Sequence, residues 1–109
     1  MKRLLKEIIQ FRDERDWKQF HTPKNLALAI SIEAAELNEL FLWKTDNEST
    51  HVDSNKISDE LADVLIYSML MAESMGFDLD EIISSKLKKN EIKYPIEKSK
   101  GNSKKYTDL

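Results

Sequence analysis

Ser54-Asn55-Lys56-Ile57-Ser58-Asp59-Glu60-Leu61-Ala62-Asp63-Val64-Leu65-Ile66-Tyr67, continuing unbroken to Met75, is the stretch on which the fold turns. Wound at about 100° per residue, Ile57, Val64, Tyr67 and Met71 fall on one stripe, the periodicity of a helix with a buried side. Asp53 or Ser54 can cap its start, and Gly76 supplies a left-handed stop. Only 2 Gly and 2 Pro occur in 109 residues, and clusters of β-branched residues in strict alternation are absent, so long helices are the natural reading of the whole chain.

Upstream, Thr22-Pro23 is a helix start: the hydroxyl caps free amides, and Pro fits the first helical position, where an N–H has no partner to lose. The helix it opens should reach Leu42 or Trp43. An earlier helix is expected from Lys2 to about Arg15, with Leu4, Leu5, Ile8, Ile9 and Phe11 on its apolar side. Between them Asp16-Trp17-Lys18-Gln19-Phe20-His21 breaks the pattern and carries two aromatics. Thr45 to Thr50 is polar and turn-like. Downstream, Asp78-Leu79-Asp80-Glu81 resembles a capping box opening a fourth helix toward Lys93, ended by Pro95. Residues 1–95 thus read as one helical domain and 96–109 as a polar, Lys-rich tail without periodicity, ordered on contact or disordered. The expected fold class is all-α, an antiparallel four-helix bundle.

Bulk composition narrows the chemistry. There is no cysteine, which removes disulfides, thiolate metal sites and cysteine nucleophiles and leaves oxygen and imidazole ligands. Net charge is −3 with 34% charged residues, so there is no global positive excess for a nucleic-acid polymer, although Lys86 to Lys105 is locally basic. No segment approaches the roughly 20 apolar residues that span a bilayer, and the N-terminus lacks the apolar run of a signal peptide; no membrane partner and a cytoplasmic address are expected. A lone domain of this size buries a modest core, which makes self-association an expectation.

The informative anomaly is acid on apolar stripes. Glu33 and Glu36, roughly 60° apart, share a stripe with Leu26, Ile30, Leu37 and Leu40, and Glu60 and Asp63 repeat the i, i+3 pattern beside Ile57, Val64 and Tyr67. One such pair is ordinary on a solvated helix face. Two pairs on adjacent helices bring several carboxylates into a partly buried cleft, where protons or a cation must neutralise them. Hard oxygen donors favour Mg²⁺, with Mn²⁺ as substitute, and Mg²⁺ completes its shell with phosphate oxygens, so the expected substrate is a polyphosphate. Glu39 extends the spacing and reads either as a solvated Glu or as a group orienting a water. A di-iron bundle would need two Glu-x-x-His motifs on packed helices; only Glu48-Ser49-Thr50-His51 has the spacing, in a polar connection.

Glu33-x-x-Glu36 followed by Glu60-x-x-Asp63 resembles the signature of the MazG-like all-α nucleoside triphosphate pyrophosphohydrolases. Asp16-Trp17-Lys18-Gln19-Phe20-His21 with Pro23, Glu39-Leu40-Phe41-Leu42-Trp43-Lys44, Glu60 to Tyr67, Lys86, Asn90, Tyr94-Pro95 and Lys105 to Leu109 resemble the dCTP pyrophosphatase branch, over nearly the whole chain. The resemblance implies hydrolysis of a deoxynucleoside triphosphate, of cytosine or modified-cytosine type, to monophosphate and pyrophosphate. It implies Glu33, Glu36, Glu60 and Asp63 as Mg²⁺ ligands, Glu36 or Glu39 orienting the water, and a homotetramer, with a dimer second, whose sites lie near subunit interfaces. Trp17, Lys18, Gln19, Phe20, His21, Trp43 and Tyr67 become the base and sugar pocket, and Lys86 and Asn90, one turn apart, the phosphate contacts.

Each of these residues also has a plainer role. The tryptophans can be packing residues at helix ends, Tyr67 a core aromatic, His21 a partner of the Thr22-Pro23 cap, and Lys86 a solvated surface lysine. One departure stands out: relatives carry a His on the first helix where this chain has Ile8. A non-enzymatic helical adaptor holding a basic partner in acidic grooves is the alternative, and it leaves the acids on apolar stripes without a reason.

Overall fold

The computed structural model describes residues 2–109, and its regular elements are helices: α1 (Lys2–Glu14), a 3-10 turn (Lys18–Phe20), α2 (Pro23–Glu39), α3 (Asp46–Ser49), α4 (Ser54–Met75), α5 (Leu79–Lys93), α6 (Ile96–Ser99) and a last 3-10 turn (Tyr106–Asp108). The expected all-α class is the observed one. Local chemistry sets most boundaries. Thr22 Oγ1 accepts from the Asn25 amide at 3.2 Å, with Pro23 in the first turn; Asp53 Oδ1 accepts from the Asn55 amide at 2.9 Å; Asp78 Oδ1 accepts from the Glu81 amide at 3.0 Å. Gly76 closes α4 at φ 71°, a left-handed angle open to a residue without Cβ.

Two local expectations are corrected. The segment Thr45 to Thr50, read as a turn, holds the one-turn helix α3, because Thr45 and Glu48 form a reciprocal capping box: the Thr45 hydroxyl accepts from the Glu48 amide at 3.2 Å and the Glu48 carboxylate from the Thr45 amide at 3.3 Å. The second helix ends at Glu39 rather than Leu42 or Trp43, and turns carry the chain to Trp43, whose φ of 63° cannot continue a right-handed helix.

The described chain falls into two compact units, one ending at Gly76 and the other Phe77–Leu109. In the first, α2 packs along α4, and α1 contacts α4 over a shorter stretch. The buried apolar residues are few: Ile8, Leu26, Met69, Leu70 and Ala72. Arg12 is buried with them and spans α1 and α4, donating from Nη1 to Glu73 Oε2 at 2.8 Å. Leu28 and Ile32 on α2 and Leu61 and Leu65 on α4, each pair one turn apart, stay about half exposed.

The second unit holds α5, α6 and the last turn. The tail, expected to be ordered on contact or disordered, is organised around Tyr106, whose ring meets Tyr94 edge-on at 6.0 Å while Lys93 Nζ lies 4.8 Å from its centroid. Such aromatic and cation–π contacts act over a dozen residues and leave no periodic signature in the sequence.

Candidate active site

Packing α2 on α4 brings together acids from two helices. Glu33 and Glu36 of α2 and Glu60 of α4 each offer a carboxylate oxygen within 4.8 Å of the others. Glu33 and Glu60 are half-buried, and Oε2 of each is sealed from solvent without a hydrogen-bond partner. Among the described residues no Lys or Arg forms an ion pair with any of the three. Burial, first, and then the neighbouring Glu36 push the Glu33 carboxyl up to about 7, with the charges of Asp63 and Glu60 adding to the effect. Burial and Glu36 likewise raise Glu60. Two carboxylates this close share a hydrogen bond only if one keeps a proton. The donor set, oxygens alone with two buried and unpaired, fits a hard divalent cation.

Asp63 stands outside that trio yet close enough for its charge to act on both Glu33 and Glu60. It borders, with Glu33, a cavity of about 460 Å³ whose walls include Phe11, Trp17, His21 and Tyr67. The aromatics are held in place: Trp17 meets Phe11 edge-on at 5.7 Å, Arg15 lies over the Phe11 ring at 3.7 Å, and His21 faces Tyr67 edge-on at 6.4 Å. His21 Nδ1 is buried and unpartnered, and burial, then the nearby Arg12 charge, hold its pKa below the ordinary imidazole value. Ile8 lines the same cavity and presents an apolar wall there. Aromatic faces beside a cluster of acids can hold a flat, polar-edged ring on one side and phosphates with their cation on the other.

The remaining residues singled out from the sequence are distributed as follows. Lys18 borders a smaller cavity with Arg12, His21, Glu73 and Ser74. Gln19 donates to the Asp16 carbonyl and carboxylate at 2.9 and 3.0 Å, and Phe20 is 60% exposed with its carbonyl accepting from Asn25. Glu39, the last residue of α2, is exposed and outside the trio. Trp43 is 92% exposed and packs as no core residue does. Lys86 and Asn90 lie in the second unit and share a shallow hollow on α5 with Ile82, Ile83 and Leu87. Arg12 also borders the main cavity, a role with no mark in the sequence. A charged residue near a helix end reads as solvated, and its partner Glu73 is 61 positions away.

Residues 28–109 match the MazG-like family. The chain is 43% identical to dCTP pyrophosphatase 1 of Mus musculus and 42% identical to that of Homo sapiens, in each case over 92% of this chain and 62% of the relative. It therefore spans less than two thirds of the length of these relatives. A crystal structure of a pyrophosphatase from Archaeoglobus fulgidus superposes with a TM-score of 0.83 at 42% identity, covering 87% of this chain and 92% of that one.

Proposed function

The chain belongs to the MazG-like family, and from that premise we propose that it is a Mg²⁺-dependent nucleoside triphosphate pyrophosphohydrolase. Its substrate is dCTP or a modified dCTP, cleaved to the monophosphate and pyrophosphate. The observation that carries this reading is the acid trio, with two buried, unpaired oxygens, opening beside an aromatic cavity. The names of the relatives supply the substrate class.

Glu33, Glu36, Glu60 and Asp63 would hold Mg²⁺, or Mn²⁺ in its place. Bound there, the ion offsets the charge of the carboxylates and of the triphosphate and polarises its phosphorus–oxygen bonds. Glu36 or Glu39 orients a water and takes its proton as the new P–O bond forms and the α–β bridge breaks, so that pyrophosphate leaves. Trp17 and Tyr67 flank the base and sugar, His21 offers them an imidazole nitrogen, and the exposed Trp43 offers the base a stacking face. Lys18, Gln19 and Phe20 shape the loop that carries these groups.

The half-exposed Leu28, Ile32, Leu61 and Leu65 support association with further copies of this chain, as a tetramer or, second, a dimer. No helix of the described residues is long and apolar enough to cross a membrane, which is compatible with action in the cytoplasm. Product analysis tests the function: the chain is incubated with each common NTP and dNTP, with and without Mg²⁺. Monophosphate plus pyrophosphate, only with Mg²⁺ and fastest from dCTP or its 5-substituted forms, is expected. Release of single phosphates, or no product from any nucleotide, contradicts it.

A further inference from the structure

Arg12 is only 4% exposed, and two of its three guanidinium nitrogens are engaged: Nε donates to Asp13 Oδ1 at 2.8 Å and Nη1 to Glu73 Oε2 at 2.8 Å. Nη2 makes no hydrogen bond among the described residues, yet it is not one of the unpartnered side-chain atoms sealed from solvent. It is therefore not sealed within the fold. Arg12 lines the cavity it shares with Trp17, His21, Glu33 and Tyr67 and a smaller one it shares with Lys18 and Ser74.

The surroundings decide what Nη2 can bind. Two carboxylates already offset the guanidinium charge, so Arg12 offers no free cation to a phosphate. What remains is a directional N–H whose aim is locked, because a planar fork gripped at two corners cannot rotate. Ile8 and Leu70 line the same, mainly apolar cavity, so a group lacking an acceptor there would leave a donor unmatched, which is costly. A neutral carbonyl oxygen on a flat ring is the complementary partner.

We infer that Arg12 is a specificity-determining residue whose Nη2 donates to the ring carbonyl of a pyrimidine base seated against Trp17 and Tyr67. The inference rests on the reading of this cavity as the base pocket. The C2 carbonyl is common to cytosine, uracil and thymine, so Arg12 selects the pyrimidine and other groups read its C4 substituent. The contact belongs to a residue that no acid or aromatic motif in the sequence marks.

The test compares equilibrium binding, by calorimetry with Mg²⁺, of dCTP carrying a non-cleavable α–β bridge and its 2-thio counterpart, in which sulfur replaces the C2 oxygen as a poorer acceptor. The wild-type chain should bind the oxygen form about tenfold tighter, the worth of one hydrogen bond from a charged donor. In Arg12→Met the oxygen form should weaken to the level of the 2-thio form and the preference disappear. The double variant Arg12→Met with Glu73→Met, which removes both partners of the buried pair and so guards against misfolding of the single one, should behave likewise. Equal wild-type affinities for the two analogues, or a preference that survives in either folded variant, overturns the role of Arg12. A loss of equal size for both analogues assigns Arg12 to fold support alone and overturns it too. Pyrophosphate release from dCTP by the wild type is scored separately. Hydrolysis without the oxygen preference refutes Arg12 alone, whereas neither binding nor hydrolysis refutes the pocket reading with it.

Discussion

Replacing Glu36 by Gln should make the metal-free protein more stable while removing its response to Mg²⁺. Glu36 lies within 4.8 Å of carboxylate oxygens on both Glu33 and Glu60. Two unit charges at that distance repel by about 3.5 kcal/mol at the effective dielectric of a partly exposed site. The full amount is not recovered, because Glu36 is solvent-exposed. Screening reduces the gain to about 1 kcal/mol. The amide also brings N–H donors toward Glu33 Oε2 and Glu60 Oε2, which have no partner. For a chain of this size the gain corresponds to a rise in Tm of about 4 °C. Melting followed by circular dichroism at mildly alkaline pH, in EDTA and then in Mg²⁺, reads both effects, and pyrophosphate release reads activity. Wild type should gain Tm on adding Mg²⁺ through preferential binding to the folded state; the variant should gain little and turn over nothing. A variant that melts below wild type in EDTA, or that gains as much from Mg²⁺, would show that these acids neither repel one another nor hold the ion.

Glu33 titrates near 7 in the fold against 4.5 in the unfolded chain, so folding favours its protonated form. That contribution is complete below the unfolded value and lost as pH rises through about 7. The metal-free Tm should therefore fall between pH 5 and 8, Glu33→Gln should flatten the fall, and an unchanged slope in that variant refutes the assignment. Trp43→Ala, at a side chain 92% exposed, should shift stability by less than about 0.5 kcal/mol and raise KM for the triphosphate; an unaltered KM removes Trp43 from the pocket. Gly76→Ala meets no atom within 4 Å of the added Cβ, so its cost is the left-handed backbone alone, about 1 kcal/mol, with activity per folded molecule unchanged. A drop of several kcal/mol in denaturant titration would mean that the α4 terminus is packed more tightly than its surroundings show.

What was legible in the sequence was local or periodic. The caps at Thr22, Asp53 and Gly76 are single-residue chemistry, and the acid pairs stood out because their i, i+3 spacing put them on apolar stripes. Glu33, Glu36 and Glu60 do converge, since pairing α2 with α4 turns those stripes toward each other. The box at Thr45 and Glu48 is local chemistry too, but a helix of four residues is too short to show a helical period. Trp43 illustrates another gap: nothing in Phe41-Leu42-Trp43-Lys44 announces a positive φ on a bulky residue. Arg12 illustrates a third, since tertiary pairing across 61 positions has no local footprint.

Among the described residues, the two corners with positive φ outside glycine, Asp16 at 54° and Trp43 at 63°, stand beside or at the two tryptophans. A left-handed angle on an L-residue costs roughly 1–2 kcal/mol, and few alternative conformations on either side share it. Glycine at either corner would relieve the strain and widen the range of directions open to the neighbouring indole. The residues present do the reverse: they narrow that range before any ligand arrives. If the proposed nucleotide binds against these indoles, its capture is governed by encounter, and the transient of tryptophan fluorescence on mixing should be a single phase whose rate climbs linearly with ligand concentration.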